Sequence, residues 1–175
     1  MSYDLDKAIR KVKDFPKKGI LFYDVTGIIL NPEAFRYTID EAVLRYKDSG
    51  INKIVAVESR GFIFGAVISD RLGIPLVLAR KKGKLPGKTV SKSYALEYGE
   101  AVLEIHRDDI TKGDRVLVVD DLIATGGTLK ASIEMILELG GVIVAVFGVI
   151  GLPFLDYKSV LSGYRVDTLI DYHGE

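Results

Sequence analysis

The sequence predicts an α/β fold, a mostly parallel sheet flanked by helices and carrying an inserted antiparallel flap. Three observations predict it. Two segments, 53–72 and 115–139, each run from an apolar strand through a tight loop into a helix. Their strands are near-continuously apolar, the mark of a parallel sheet covered on both faces. Between them, residues 81–109 abandon that pattern for alternating polar and apolar residues around Gly99, the period of a hairpin.

The elements follow in chain order. Leu5, Ile9 and Val12 recur at helical spacing among charged residues, predicting a short amphipathic N-terminal helix. Phe15-Pro16 ends it, since proline disfavours helix in the residue before it. Residues 20–25 read as a short extended piece. Asn31-Pro32 is a helix start, with an N-cap followed by proline at the first helical position, and the helix is predicted to reach about residue 47. Strand 53–57, helix 62–72, with Gly73 at its end, and strand 76–80 come next. The flap is read as an exposed hairpin of strands 89–98 and 101–106. Strand 115–119, loop 120–127 and helix 128–139 follow. Leu129, Ile133, Ile136 and Leu137 form the helix's apolar face, with Lys130, Glu134 and Glu138 opposite. Gly140-Gly141 closes it before the apolar strand 142–149. Residues 154–175 are predicted to add a short helix and an edge strand, 165–170.

Composition bounds the function. A chain of 175 residues suits one domain, 1–175. Lys+Arg and Asp+Glu both number 24, so there is no polybasic field for nucleic acid or an anionic membrane. Basic residues do cluster between positions 80 and 92, which suits a small polyanion. With no cysteine, disulfides, thiolate metal sites and cysteine nucleophiles are excluded. Residues 1–15 have no apolar h-region, and the apolar run 142–152 contains two glycines and is too short for a bilayer, so the expected location is cytoplasmic. His106 and His173, the two histidines, lie in unrelated contexts and suggest neither a metal site nor a nucleophile–base pair.

In open α/β sheets ligands gather at the carboxyl ends of strands, where loops meet helix N-termini. Asp120-Asp121-Leu122-Ile123-Ala124-Thr125-Gly126-Gly127-Thr128 sits at such a place. The glycines permit close backbone approach, and free N–H groups with the helix dipole favour an anion. Thr125 and Thr128 add hydroxyl donors, while Asp120 and Asp121 can accept from sugar hydroxyls. Phosphate plus vicinal diol describes a ribose 5-phosphate; Thr-Gly-Gly-Thr by itself is equally a capped helix start. Gly83-Lys84-Leu85-Pro86-Gly87-Lys88-Thr89 imitates a nucleotide-binding P-loop but has three residues between its glycines, where that loop needs four.

The run from Val116 through Asp120-Asp121 to Thr128 resembles the signature of the type I phosphoribosyltransferases, which bind 5-phosphoribosyl 1-pyrophosphate (PRPP) there. Gly19-Ile20-Leu21-Phe22-Tyr23-Asp24, Glu58-Ser59-Arg60-Gly61-Phe62, Arg80-Lys81-Lys82-Gly83-Lys84 and Tyr94-Ala95-Leu96-Glu97-Tyr98-Gly99 are similar, in this order, to segments of the adenine-specific branch. The resemblance implies that fold, with a small N-terminal hood, and transfer of phosphoribose to adenine, giving AMP in purine salvage. It implies that Ala124, Thr125, Gly126, Gly127 and Thr128 hold the 5-phosphate and that Asp120 and Asp121 hold the ribose. Ser59, Arg60, Gly61, Arg80 and Lys81 would serve the pyrophosphate, with Arg60 also catalytic and a strained peptide joining Glu58 to Ser59. Leu21, Phe22 and Tyr23 would face adenine, with backbone groups reading the purine edge; many members carry a basic residue in place of Tyr23, a change that is tolerated if recognition runs through the backbone and alters base selectivity if it does not. Glu97 would manage a proton on the purine from a flexible flap, about 81–109, that includes Lys84 and Tyr98. The resemblance further implies Mg2+ carried by the pyrophosphate, no dedicated protein metal site, and a homodimer. Two other readings remain: a phosphoribosyltransferase for xanthine, hypoxanthine or orotate, and a non-catalytic PRPP sensor, for which a DNA-binding extension is lacking.

Overall fold

The computed structural model describes residues 3–95 and 100–174. Its centre is a seven-stranded sheet built from β3 (Lys53–Val57), β4 (Leu76–Lys81), β5 (Thr89–Ala95), β6 (Glu100–His106), β7 (Arg115–Ile123), β8 (Val142–Gly151) and β9 (Val166–Asp171), in the order β5-β6-β4-β3-β7-β8-β9. The pairs β4/β3, β3/β7, β7/β8 and β8/β9 are parallel, and the hairpin β5/β6 joins β4 antiparallel. A separate two-stranded ribbon, β1 (Arg10–Lys13) with β2 (Leu21–Asp24), forms the predicted hood beside the sheet.

Strand alternation divides the interior into two cores. In β7, Leu117 and Val119 point into one, with Ile54, Phe64 and Phe147; Val116 and Val118 point into the other, with Val55, Ile133 and Val146. Helices α2 (Pro32–Tyr46) and α3 (Gly61–Leu72) cover the first face, and α4 (Gly127–Glu138) with the short α5 (Tyr157–Val160) covers the second. The Asn31 side chain caps α2 by accepting from the N–H groups of Glu33 and Ala34, and α3 ends on Gly73 in the left-handed region (φ 65°). Among the described residues no helix is long and apolar enough to cross a membrane.

Five local features differ from expectation. The N-terminal amphipathic helix is a single 3-10 turn, Leu5–Ala8; the chain then enters β1, where Val12 is 42% exposed, because ribbon pairing with β2 outweighs a helical period only two repeats long. A short helix α1 (Thr26–Leu30) was not foreseen: it starts where the Asp24 carboxylate accepts from the Thr26 N–H and hydroxyl. Asp120 and Asp121 belong to β7, not to a loop, since β7 pairs with β8 as far as Ile123. In α4, Leu137 is 44% exposed, one position off the buried stripe of Leu129, Ile133 and Ile136. The hairpin is also less free-standing than its alternation suggests, because Val90, Leu103 and Ile105 are buried in the second core.

Candidate active site

Two neighbouring parallel strands, β3 and β7, deliver their carboxyl ends side by side, with Ala56 opposite Val119. Each leads into a twelve-residue helix, α3 and α4, whose N-cap makes no side-chain hydrogen bond. Two sets of leading N–H groups, and the positive ends of two helix dipoles, therefore meet at the carboxyl ends of the central strands. Gly126 provides the turn into α4 with φ 81°; a Cβ there would lie 3.3 Å from the side chains of Tyr157 and Leu161, which back the turn. Gly61 opens α3 for a different reason. A Cβ on it would sit 3.0 Å from both Asp120 Oδ1 and the Val119 carbonyl, so glycine is what lets α3 approach β7.

The turn before α4 encloses a recess of about 80 Å³, lined by Asp120, Leu122, Ile123, Ala124, Thr125, Gly126, Thr128 and Leu129. It shares Asp120, Leu122 and Thr128 with a larger, mainly polar cleft of about 300 Å³, which is completed by Glu58, Ser59, Arg60, Lys81, Tyr94 and Asp121. The structure thus brings Ser59, Arg60, Lys81, Asp120, Asp121, Ala124, Thr125, Gly126 and Thr128 around two recesses that share walls, while Gly61, Arg80 and Gly127 line neither.

Charges in this space are strongly coupled. Arg60 donates its Nε–H to Asp121, whose carboxylate is buried, and burial of Arg60 is more than offset by that partner, so its pKa rises. Asp120 has a pKa well above the ordinary carboxylate range, first because of burial and then because the Asp121 charge adjoins it. The Asp121 N–H donates to Asp120 Oδ1 at 2.9 Å. Glu58 behaves oppositely: burial would raise its pKa, but the Lys81 N–H (3.0 Å) and Arg80 Nε (3.2 Å) hold it down. Glu58 thereby ties the end of β3 to the end of β4, and Arg80 also donates to the Lys84 carbonyl. The Glu58–Ser59 peptide is cis.

Of the three hood residues, Phe22 stands against a cleft residue, with the Arg60 guanidinium 5.9 Å from its ring centroid. Leu21 lines a separate recess with Lys13, Asp14, Gly19 and Ile20. Tyr23 is turned to the opposite face of β2, where its ring is buried against Tyr172. Its side chain does not replace, in the cleft, the basic side chain expected of many relatives. Glu97 and Tyr98 lie outside the described residues. Among the described residues no group of three or more His, Cys, Asp or Glu side chains is placed to hold a metal.

Sequence reasoning passed over Glu58 and Asp24 as site-building residues. Asp24 fixes the exit of β2 through Thr26 and lies close enough to Arg60 to raise its pKa. The available signal was charge complementarity: each acid sits at a strand end, in a protein whose basic residues cluster at other strand ends.

The Phosphoribosyl transferase domain model matches residues 30–150. An adenine phosphoribosyltransferase of Treponema denticola is 56% identical over 171 residues, 98% of this chain and 90% of the relative. One from Pseudoalteromonas translucida is 47% identical over 173 residues, 98% of this chain and 96% of that protein. Among solved structures, adenine phosphoribosyltransferase of Thermoanaerobacter pseudethanolicus superimposes with a TM-score of 0.92 at 43% identity, covering 96% of this chain and 98% of that one. The Saccharomyces cerevisiae enzyme, complexed with an imino-altritol bisphosphate and adenine, gives 0.90 at 38% identity, with 94% and 96% covered. With the phosphate turn, the paired aspartates and Arg60 on one cleft, and with likeness over nearly the whole chain, the protein belongs to the phosphoribosyltransferase family, in its adenine phosphoribosyltransferase branch.

Proposed function

We propose that the protein transfers the 5-phosphoribosyl group of PRPP to adenine, giving AMP and pyrophosphate. The observation that carries this reading is the sharing of Asp120, Leu122 and Thr128 between the turn before α4 and the cleft holding Arg60. A 5-phosphate in the turn leaves a ribose beside Asp120 and Asp121 and a C1 substituent directed toward Arg60. A relative from Trypanosoma brucei, 32% identical, was solved with AMP, pyrophosphate and ribose 5-phosphate, the chemical parts this cleft would have to seat.

In the reaction a ring nitrogen of adenine bonds to ribose C1, the C1–O bond to pyrophosphate breaks, and the proton on that nitrogen is released. The transition state resembles an oxocarbenium ion, with negative charge growing on the leaving group. Arg60, the backbone N–H groups of Ser59 and Gly61 at the entry to α3, and the basic pair Arg80 and Lys81 would stabilise that charge. Ala124 to Thr128 hold the 5-phosphate through backbone N–H groups and two hydroxyls. Asp120 and Asp121, adjacent on β7, offer carboxyl oxygens to the ribose hydroxyls. Phe22 walls the base end, with the backbone of residues 21–23 reading the purine edge. Glu97 shifts a proton on the purine as the flap that includes Lys84 and Tyr98 covers the site and excludes water. Mg2+ enters as part of the substrate, bound to its pyrophosphate oxygens. The same reading takes residues 1–175 as one domain, homodimeric and cytoplasmic.

The test is pyrophosphate release from PRPP and Mg2+ with adenine, hypoxanthine, guanine, xanthine and orotate supplied separately. Release and AMP formation with adenine alone are the expected result; release with another base instead would overturn the base assignment.

A further inference from the structure

The hood ribbon has two faces, and one of them is gripped from across the molecule. Cross-strand pairing sets Tyr23 opposite Lys11 and Phe22 opposite Val12, so Tyr23 and Lys11 share one face while Phe22 occupies the other. On the first face, Tyr172 stacks on Tyr23 with ring centroids 3.9 Å apart and planes 16° from parallel. The Tyr172 hydroxyl donates to Asp6, and the Lys11 ammonium lies 5.2 Å from the Tyr172 ring centroid while bonding Asp6 at 2.8 Å. The Tyr23 hydroxyl in turn donates to the Gly174 carbonyl at 3.2 Å. Tyr172 is itself anchored in the main sheet, its N–H donating to the Gly151 carbonyl at the end of β8. On the second face, the Phe22 ring lies 5.9 Å from the guanidinium of Arg60, which lines the cleft.

We infer that Tyr172 is a positioning residue for the base end of the active site. Through the Tyr23 ring it sets where β2, and with it the Phe22 ring and the backbone of residues 21–23, stand relative to Arg60 and the phosphate turn. This inference rests on the proposed reading that the purine is held by residues 21–23. The physical logic is that the two-stranded ribbon is not paired to the seven-stranded sheet, so its orientation depends on side-chain contacts. A stacked aromatic pair with both hydroxyls bonded fixes rotation as well as separation. The contact touches nothing in the phosphate or pyrophosphate end, so its loss should be felt by the base and not by PRPP.

The experiment is steady-state kinetics on wild type, Tyr172→Phe and Tyr172→Ala, varying base and PRPP in turn and recording thermal stability alongside. Tyr172→Ala is expected to raise KM for adenine by about tenfold, since sub-ångström misplacement has large effects on bound geometry. KM for PRPP should stay within about twofold, and Tyr172→Phe, which keeps the ring, should recover most of the adenine KM. A parallel rise of both KM values, or an unchanged adenine KM, would overturn the inference. Should Tyr172→Ala not fold, Tyr172→Leu keeps apolar bulk without stacking and is judged by the same ratio. If wild type turns over a different base, the assignment to adenine fails separately, and the split between that base and PRPP still decides the role of Tyr172.

Discussion

Arg60 at the start of α3 and Asp121 on β7 are joined by a direct hydrogen bond, so the cation proposed for pyrophosphate and a carboxylate proposed for ribose hold each other in register. Asp121 is buried, whereas Arg60 is half-exposed. Arg60→Ala is expected to lower kcat/KM by about 10²-fold or more, the scale of losing a preorganised donor to a developing charge. The accompanying stability loss should be only about 1 kcal/mol, because solvent screens the arginine. A double-mutant cycle with Asp121→Asn, read by thermal denaturation, should show non-additivity; independent effects would mean that the ion pair does not organise the cleft.

Asp120 carries the opposite expectation. Its raised pKa means that the unfolded chain releases a proton, as pH climbs past the ordinary value of 3.8, that the folded chain retains. Folding is therefore progressively penalised from that pH up to the folded pKa. Asp120→Asn removes the penalty and should raise Tm at neutral pH by roughly 2–4 °C, equivalent to about 1 kcal/mol in a domain of this size. Activity should fall at the same time. A lower Tm would show that the carboxyl is stabilised by contacts an amide cannot reproduce.

Gly61→Ala tests the close approach of α3 to β7. The added methyl would stand 3.0 Å from Asp120 Oδ1 and from a backbone carbonyl, which cannot swing away. A destabilisation of about 1–3 kcal/mol is expected, with weaker PRPP binding by calorimetry. Unchanged stability and affinity would show that the strand and helix can part at no cost.

Acid titration has a clear sign at Asp114. Burial would raise its pKa, but the hydrogen bond from Lys53 (2.7 Å) and those from the Thr111 N–H and hydroxyl lower it. A lowered carboxylate pKa contributes stability that is fully present above the unfolded value of 3.8 and is lost as pH falls through the folded value. Urea unfolding between pH 5 and about pH 2 should show a shallower acid loss for Asp114→Asn than for wild type. Identical slopes would assign the acid sensitivity to other carboxylates.

Glu97→Gln should lower kcat by about 10²-fold while leaving PRPP affinity within a small factor, as for loss of a proton-transfer group. Single-turnover rates separate this from product release. A full-rate variant would take the proton role away from Glu97.

What was legible in the sequence was what depends on local periodicity and on groups adjacent along the chain. The apolar strands β3, β7 and β8, the Asn31 cap and the Gly126 turn all announce themselves within a few residues. The phosphate turn is a contiguous run and was read as a unit. What stayed hidden depends on partners distant in sequence. The face Tyr23 presents is decided by Tyr172, and the role of Glu58 by Arg80 and Lys81. Val12 looked helical because two apolar repeats cannot reveal that a strand eleven residues later will pair with it. The number of residues β7 contributes was likewise fixed by β8, so the paired aspartates were placed one element too late.

The pairing of β3 with β7 has a kinetic consequence. It brings together residues about sixty positions apart, Lys53 with Val116 and Ala56 with Val119, with β4 and the hairpin lying between them in sequence. Closing so large a loop must precede any contact between Arg60 and Asp121, and nonlocal parallel pairing is intrinsically slow. Helical signal can return early in refolding, whereas competence to bind a sugar phosphate arrives only when these two strands have found each other. The recovery of PRPP binding is thus a clock for the central long-range step of assembly, not for collapse.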